Sequence, residues 1–229
     1  MSSTLSLSEI KNKIADICKK QGRLASDVKI LAVSKLQPLE KINNLLTLGQ
    51  FDFGENYVQE FKEKQSQISD PKIHWHLIGH LQKNKIKMLI GKCYLIHSVD
   101  SLKLAQEIHQ RALIEGVRQK ILLQVNVAGE ASKEGFDPEV LKNHIQEIFA
   151  LSHLEILGLM TMPPFVENPE DNRAYFNSLQ KLIHHLKSKN DLPSYFSELS
   201  MGTSQDYQVA IEEGATWIRL GSTLFGQRI

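Results

Sequence analysis

Short apolar runs alternate with longer stretches in which apolar residues recur every three or four positions, from about residue 29 to the end of the chain. Eight runs read as strands: 29–33, 51–53, 73–78, 94–97, 121–127, 154–160, 195–199 and 216–220. Segments 39–48, 57–67, 83–90, 101–115, 138–151, 170–188 and 205–213 read as helices. Leu102, Ala105, Ile108 and Ala112 make one apolar stripe, and Phe176, Leu179, Leu182, Ile183 and Leu186 make another. Before the first strand, Ser6-Leu7-Ser8-Glu9 opens a helical pattern with Ile10, Ile14 and Ile17 on one face and a stop at Gly22.

Several strands are apolar nearly throughout, as when both faces of a sheet are covered. Eight strands alternating with helices in 229 residues predict a single-domain α/β fold, a (β/α)8 TIM barrel. The alternative is an open doubly wound sheet, but the first βα turn, Ser34-Lys35-Leu36-Gln37-Pro38, lacks its glycine fingerprint. No linker or shift in composition divides residues 1–229, so one domain is expected.

Composition narrows the function classes. Hydrophobic residues make up 41% and charged residues 23%, as in an ordinary globular protein. With 27 basic against 26 acidic residues and no block of like charge, the chain has no electrostatic footprint for nucleic acid. Cys18 and Cys93 form no CxxC pair and read as small buried hydrophobes. His74/His76 and His184/His185 lack zinc-site spacing, so no metal is expected. There is no run of about 18 apolar residues, and the first residues do not form a signal peptide. A cytoplasmic protein without a membrane segment is expected.

In a barrel, chemistry belongs at the carboxyl ends of the strands. Lys35 stands there, after the run 28–33. An amine at the mouth of a buried strand loses solvation, which lowers its pKa and suits it to form a Schiff base with an aldehyde. Position alone favours the simpler reading, a lysine that ends a strand and points into solvent. Ser200-Met201-Gly202-Thr203-Ser204 and Gly221-Ser222 follow the seventh and eighth strands, where barrels cradle phosphate on backbone N–H groups and hydroxyls. Ser204 as a helix N-cap and Gly221 as a turn residue are the simpler readings of each loop taken singly. An amine facing a phosphate cradle suits a phosphorylated aldehyde, and pyridoxal 5'-phosphate is the candidate. Arg219 could donate to its ring nitrogen, touch its phosphate, or form a rim ion pair.

The motifs resemble those of the pyridoxal phosphate homeostasis proteins, the YggS/PROSC group. The similarity is carried by residues 31–35 (LAVSK), 53–60 (FGENYVQE), 74–85 (HWHLIGHLQKNK) and Asn126 with Glu130, Lys133 and Gly135. Residues 158–162 (GLMTM), 199–204 (LSMGTS) and 218–228 (IRLGSTLFGQR) complete it. The resemblance implies a barrel like the N-terminal domain of alanine racemase, with pyridoxal 5'-phosphate as a Schiff base on Lys35. It places Asn56 beside the cofactor, Ser200 and Gly221-Ser222 at the phosphate, Arg219 near the ring nitrogen, and Lys133 near the mouth. Met201, Gly202 and Thr203 complete the expected binding set. Leu77 and Thr203 depart from the residues usual in the group without removing a donor.

The resemblance implies a protein that buffers the cofactor and delivers it to apo-enzymes, with indirect effects on amino-acid and keto-acid balance. No catalytic residue and a monomeric state are expected. The rival is an amino-acid racemase. It needs a second acid/base, which alanine racemase takes from a further β domain, and too few residues follow the last strand to build one. Tyr57 or Tyr207 is the candidate second base. A cofactor-free isomerase would instead need an acid at a strand end, for which Glu55 and Asp100 are available.

Overall fold

The computed structural model describes residues 4–130 and 134–226. The helix α1 (Leu7–Lys20) is capped by Ser6, whose hydroxyl accepts from Glu9 N–H while the Glu9 carboxylate accepts from Ser6 N–H. Leu7, Ile10, Ile14 and Cys18 form its buried face. Then follow β1 (Lys29–Val33), α2 (Leu39–Thr47), β2 (Asp52–Glu55), α3 (Val58–Gln67), β3 (His74–Leu77), a 3-10 helix (Lys83–Met88), β4 (Leu95–Val99), α4 (Leu102–Ile114) and β5 (Gln119–Gln124). The second half contains α5 (Pro138–Phe149), β6 (Leu154–Met160), α6 (Arg173–Lys189), β7 (Glu198–Thr203), α7 (Tyr207–Glu212), β8 (Trp217–Leu220) and α8 (Ser222–Phe225).

All eight strands are parallel and pair in chain order, and β8 returns to β1 to close a barrel. Strand alternation sorts side chains into two layers. Ile30, Ala32, Leu199, Met201, Ile218 and Leu220 pack outward against the helices, whereas Leu31, Leu95, Leu122, Met160 and Trp217 fill the interior. Cys18 and Cys93 are buried and unbridged, as expected of small hydrophobes. No described helix is long and apolar enough to cross a membrane.

Two expected elements differ. The helix expected at 83–90 is a short 3-10 turn. The seventh strand begins at Glu198, opposite Gly158 of β6, and runs to Thr203. Residues 200–203 look like loop by composition, but pairing of Ser200 with Trp217 and Thr203 with Arg219 draws them into the sheet.

Candidate functional site

β1 delivers its chain into a tight turn in which Gln37 N–H donates to Ser34 O at 3.0 Å. Lys35 is the second residue of that turn. Leu36, the third, is the only described non-glycine residue with positive φ, at 59°. A left-handed conformation costs such a residue about 1–2 kcal/mol, so neighbouring contacts must hold it.

Lys35 lines a cavity of about 440 Å³ at the carboxyl ends of the strands, a volume suited to a small cofactor. The walls include Asn56, Thr203, Arg219, Gly221 and Ser222, all expected from the sequence. They also include Val33, Gln37, Ile78, Met162, Ser204, Gln205 and Gly226. Ser204 ties the last two loops together, its hydroxyl accepting from Gly221 N–H at 3.1 Å and Thr223 N–H at 3.2 Å. Its cap-like chemistry thus acts between loops, a role that spacing along one loop does not reveal.

Three expected residues lie away from the cavity wall. Ser200 is fully buried and contacts Arg219 from within the barrel. Met201 packs outward in the main core. Gly202 has φ +87°, and a Cβ there would stand 2.5 Å from Ala210 Cβ, so its glycine serves the fit of α7 against β7. Lys133 lies outside the described residues.

The barrel interior holds a polar chain that the apolar reading of the strands did not anticipate. Arg219 Nη1 donates to Ser200 Oγ at 2.8 Å, and Ser200 Oγ lies 2.9 Å from His97 Nδ1. His97 Nε2 is 3.0 Å from His76 Nδ1, and His76 Nε2 is 3.2 Å from Asp52 Oδ1. If both imidazoles are neutral, every link has one donor and one acceptor. Protons then point one way along the chain, from the guanidinium at the cavity to the carboxylate at the opposite rim. Arg219 Nη2 also donates to Thr161 O at 2.8 Å. Among the described residues no carboxylate stands within 4.0 Å of its nitrogens. Burial pulls its guanidinium down to about 10, with Asp206 opposing, which leaves it charged at neutral pH.

Two predictions follow from this chain. Ser200→Ala leaves Arg219 Nη1 and His97 Nδ1 buried without their partner, and about 2–4 kcal/mol of stability is lost. Urea unfolding measures it, and a change below about 0.5 kcal/mol would refute the linkage. The second concerns acid. Burial, then the charges of His76 and Arg219, hold His97 well below the usual imidazole range. Burial also lowers His76, with Asp52 opposing. Both folded values lie below the unfolded value of 6.5, so their stabilisation is complete above that pH and is lost as pH falls below it.

Glu55 acts in the opposite sense. Burial pushes its carboxyl up to about 7, against Lys64 and Ser34, so its stabilisation is complete below 4.5 and is lost as pH rises from there through about 7. In Glu55→Gln the two imidazoles act without that opposing carboxyl, and unfolding at about pH 5.5 is accompanied by proton uptake. Calorimetry in buffers of different ionisation heat measures it, and proton release would contradict the neutral chain.

Neither proposed acidic base lines the cavity. Glu55 is fully buried with Ser34 and Lys64. Asp100 stands 3.5 Å from His80 Nδ1, which is also 2.8 Å from Glu134. Tyr57 is exposed, and Tyr207 is buried with its hydroxyl accepting from Gln208.

The sequence profile of the alanine racemase N-terminal domain matches residues 5–229. The pyridoxal phosphate homeostasis protein of Aquifex aeolicus (strain VF5) is 44% identical over 222 residues, covering 97% of this chain and 96% of that one. The chain belongs to the pyridoxal phosphate homeostasis protein family. Among solved structures, PipY of Synechococcus elongatus PCC7942 with PLP bound has a TM-score of 0.83 and 36% identity, covering 93% of this chain and all of that one. Alanine racemase of Clostridium difficile 630 has a TM-score of 0.70 at 18% identity, covering 98% of this chain and 58% of that enzyme, a likeness of fold. The family resemblance expected from the motifs and the barrel expected from strand count therefore both stand.

Proposed function

We propose that this chain holds pyridoxal 5'-phosphate as a Schiff base on Lys35 and serves intracellular homeostasis of that cofactor. It does so as a single-domain, cytoplasmic monomer that buffers the cofactor and delivers it to apo-enzymes without catalysing a reaction of its own. One observation carries the reading. Lys35 and the buried Arg219 line the same cavity, and among the described residues no acidic residue lines it. Such a wall attracts an anionic aldehyde and offers an amine to it.

The lining fits the group chemically. Val33, Ile78 and Met162 offer apolar contact to an aromatic ring, while Thr203, Ser204, Ser222 and the Gly221 loop supply hydroxyls and backbone near a phosphate. Bound there, the cofactor would supply an aldehyde carbon, and Lys35 would be the amine that holds it, with loss of one water. Arg219 is a donor that does not give up its proton, so beside a ring nitrogen it keeps that nitrogen unprotonated and weakens the ring as an electron sink. That favours holding the cofactor over using it.

The lining also argues against the rivals. Neither Tyr57 nor Tyr207 lines the cavity, so neither is placed as a second base for racemisation. Among the described residues, no carboxyl lines the cavity to serve a cofactor-free isomerase. The test is direct: load the protein with pyridoxal 5'-phosphate, reduce with borohydride, and map the label. Label on Lys35 supports the reading, and label elsewhere or none overturns it. Single amino-acid enantiomers incubated in deuterated water report any racemisation. Turnover at ordinary enzyme rates, about 1–1000 per second, would reverse the non-catalytic assignment.

A further inference from the structure

A buried ion cluster stands behind the Lys35 turn, outside the cavity. Glu60 and Lys64 are four residues apart on α3, so they share one face of that helix. Lys64 is 6% exposed, unusual for lysine, and its ammonium has three acceptors. These are Ser34 O at 2.6 Å, Glu55 Oε1 at 2.8 Å and Glu60 Oε1 at 2.7 Å. Ser34 Oγ donates to the same Glu55 oxygen at 2.5 Å. Glu60 Oε1 in turn accepts from Leu36 N–H at 2.6 Å. The backbone is therefore gripped on both sides of Lys35: the carbonyl of residue 34 by Lys64, and the amide of residue 36 by Glu60.

The gripped residue after Lys35 is the strained one. Leu36 is left-handed at φ 59° although its side chain is 66% exposed, so no packing of that side chain holds it there. Glu60 supplies the one restraint on its amide that the structure shows. If that restraint goes, Leu36 relaxes toward the right-handed or extended region. The peptide between residues 35 and 36 then rotates, and the lysine side chain is re-aimed.

We propose that Glu60 and Lys64 are positioning residues for Lys35: they clamp the turn on either side of it and keep Leu36 left-handed, so that the amine enters the cavity already aimed. The proposal rests on the reading of Lys35 as the Schiff-base lysine. It assigns a task to a buried cluster that neither lines the cavity nor is needed to explain the barrel. Glu55 belongs to the same cluster as the anchor of Lys64 and Ser34.

The experiment follows the rate at which the yellow Schiff-base band appears after mixing with pyridoxal 5'-phosphate. Binding of pyridoxine 5'-phosphate, which has an alcohol in place of the aldehyde, is measured in parallel. Glu60→Ala slows attachment by about tenfold or more, as expected when a reacting group is misplaced by an ångström or less. It leaves pyridoxine 5'-phosphate affinity within about threefold, because the analogue does not engage the amine. Glu60→Gln, which keeps an acceptor for Leu36 N–H, stays close to wild type.

Leu36→Gly restores attachment in the Glu60→Ala background, since glycine is left-handed without support. Leu36→Val alone slows attachment with the cluster intact, because a β-branched residue resists positive φ. Residue 36 is exposed, so this pair reads the turn even if Glu60→Ala does not fold. Normal attachment in folded Glu60→Ala, or equal rates for Leu36→Val and Leu36→Gly, overturns the positioning role. Absence of a Lys35-dependent band in the wild type would instead overturn the reading on which it rests.

Discussion

Lys35→Ala is expected to abolish the yellow band and the borohydride-trapped label while leaving weakened, reversible binding of pyridoxal 5'-phosphate. The reason is a division of labour around the cavity. Lys35 enters from the β1 turn, whereas Arg219, Ser204, Gly221 and Ser222 belong to the β7 and β8 side. Only the first can form a covalent bond to an aldehyde; the second group contributes charge and hydrogen-bond donors whether or not the amine is present. The substitution removes a partly exposed side chain at the end of a strand, so thermal unfolding should shift little. Absorbance, borohydride trapping and equilibrium dialysis measure the three outcomes. Persistence of the band or the label in Lys35→Ala would show that another amine carries the cofactor.

Gly158→Ala is expected to cost more than about 4 kcal/mol, a large part of the roughly 5–15 kcal/mol that holds a domain folded. Gly158 lies opposite Glu198 in the β6–β7 pairing. A Cβ built on it would stand 1.9 Å from the Glu198 carbonyl oxygen and 2.6 Å from its carbon. Those atoms are backbone, so no rotamer change can relieve the contact, and the two strands must part. Parting them breaks the closure of the barrel on the side where β7 carries Ser200 and Thr203. Chemical denaturation, with circular dichroism to show whether the barrel still forms, measures the effect. A soluble variant with a midpoint near that of wild type would mean that β6 and β7 do not approach so closely at this point.

Much of the architecture is legible in the amino-acid pattern because it depends on local periodicity. The short apolar runs mark strands, the 3.6-residue stripes mark helices, and their strict alternation leaves few topologies. The run ending at Val33 likewise placed Lys35 at the carboxyl edge, and the serine- and glycine-bearing segments after β7 and β8 marked the wall that adjoins it across the β8–β1 pairing. The interior chain was not legible. His76 and His97 each sit among apolar residues in strands, and their partners are remote: Ser200 is 103 residues from His97, and Arg219 is 19 residues from Ser200. The one available signal was the period-two spacing of His74 and His76 in β3, which places both on one face. Glu60 and Lys64 carried a similarly weak signal, an i, i+4 pair that usually marks a solvated helix face.

From its sequence alone, the protein's eight strands, their alternation with helices, its family and the strand end that bears Lys35 were determined, but not the 3-10 turn (Lys83–Met88) or the short α8. The former follow from hydrophobic period and motif, which act over a few residues at a time. Only the closed barrel decided that Ser200 faces inward to Arg219 rather than into the cavity, that Ser204 bridges two loops, and that the ammonium of Lys64 is buried beneath the Lys35 turn. Those outcomes depend on strand register and barrel closure, which set distances between residues far apart in the chain and choose which face of each strand looks inward.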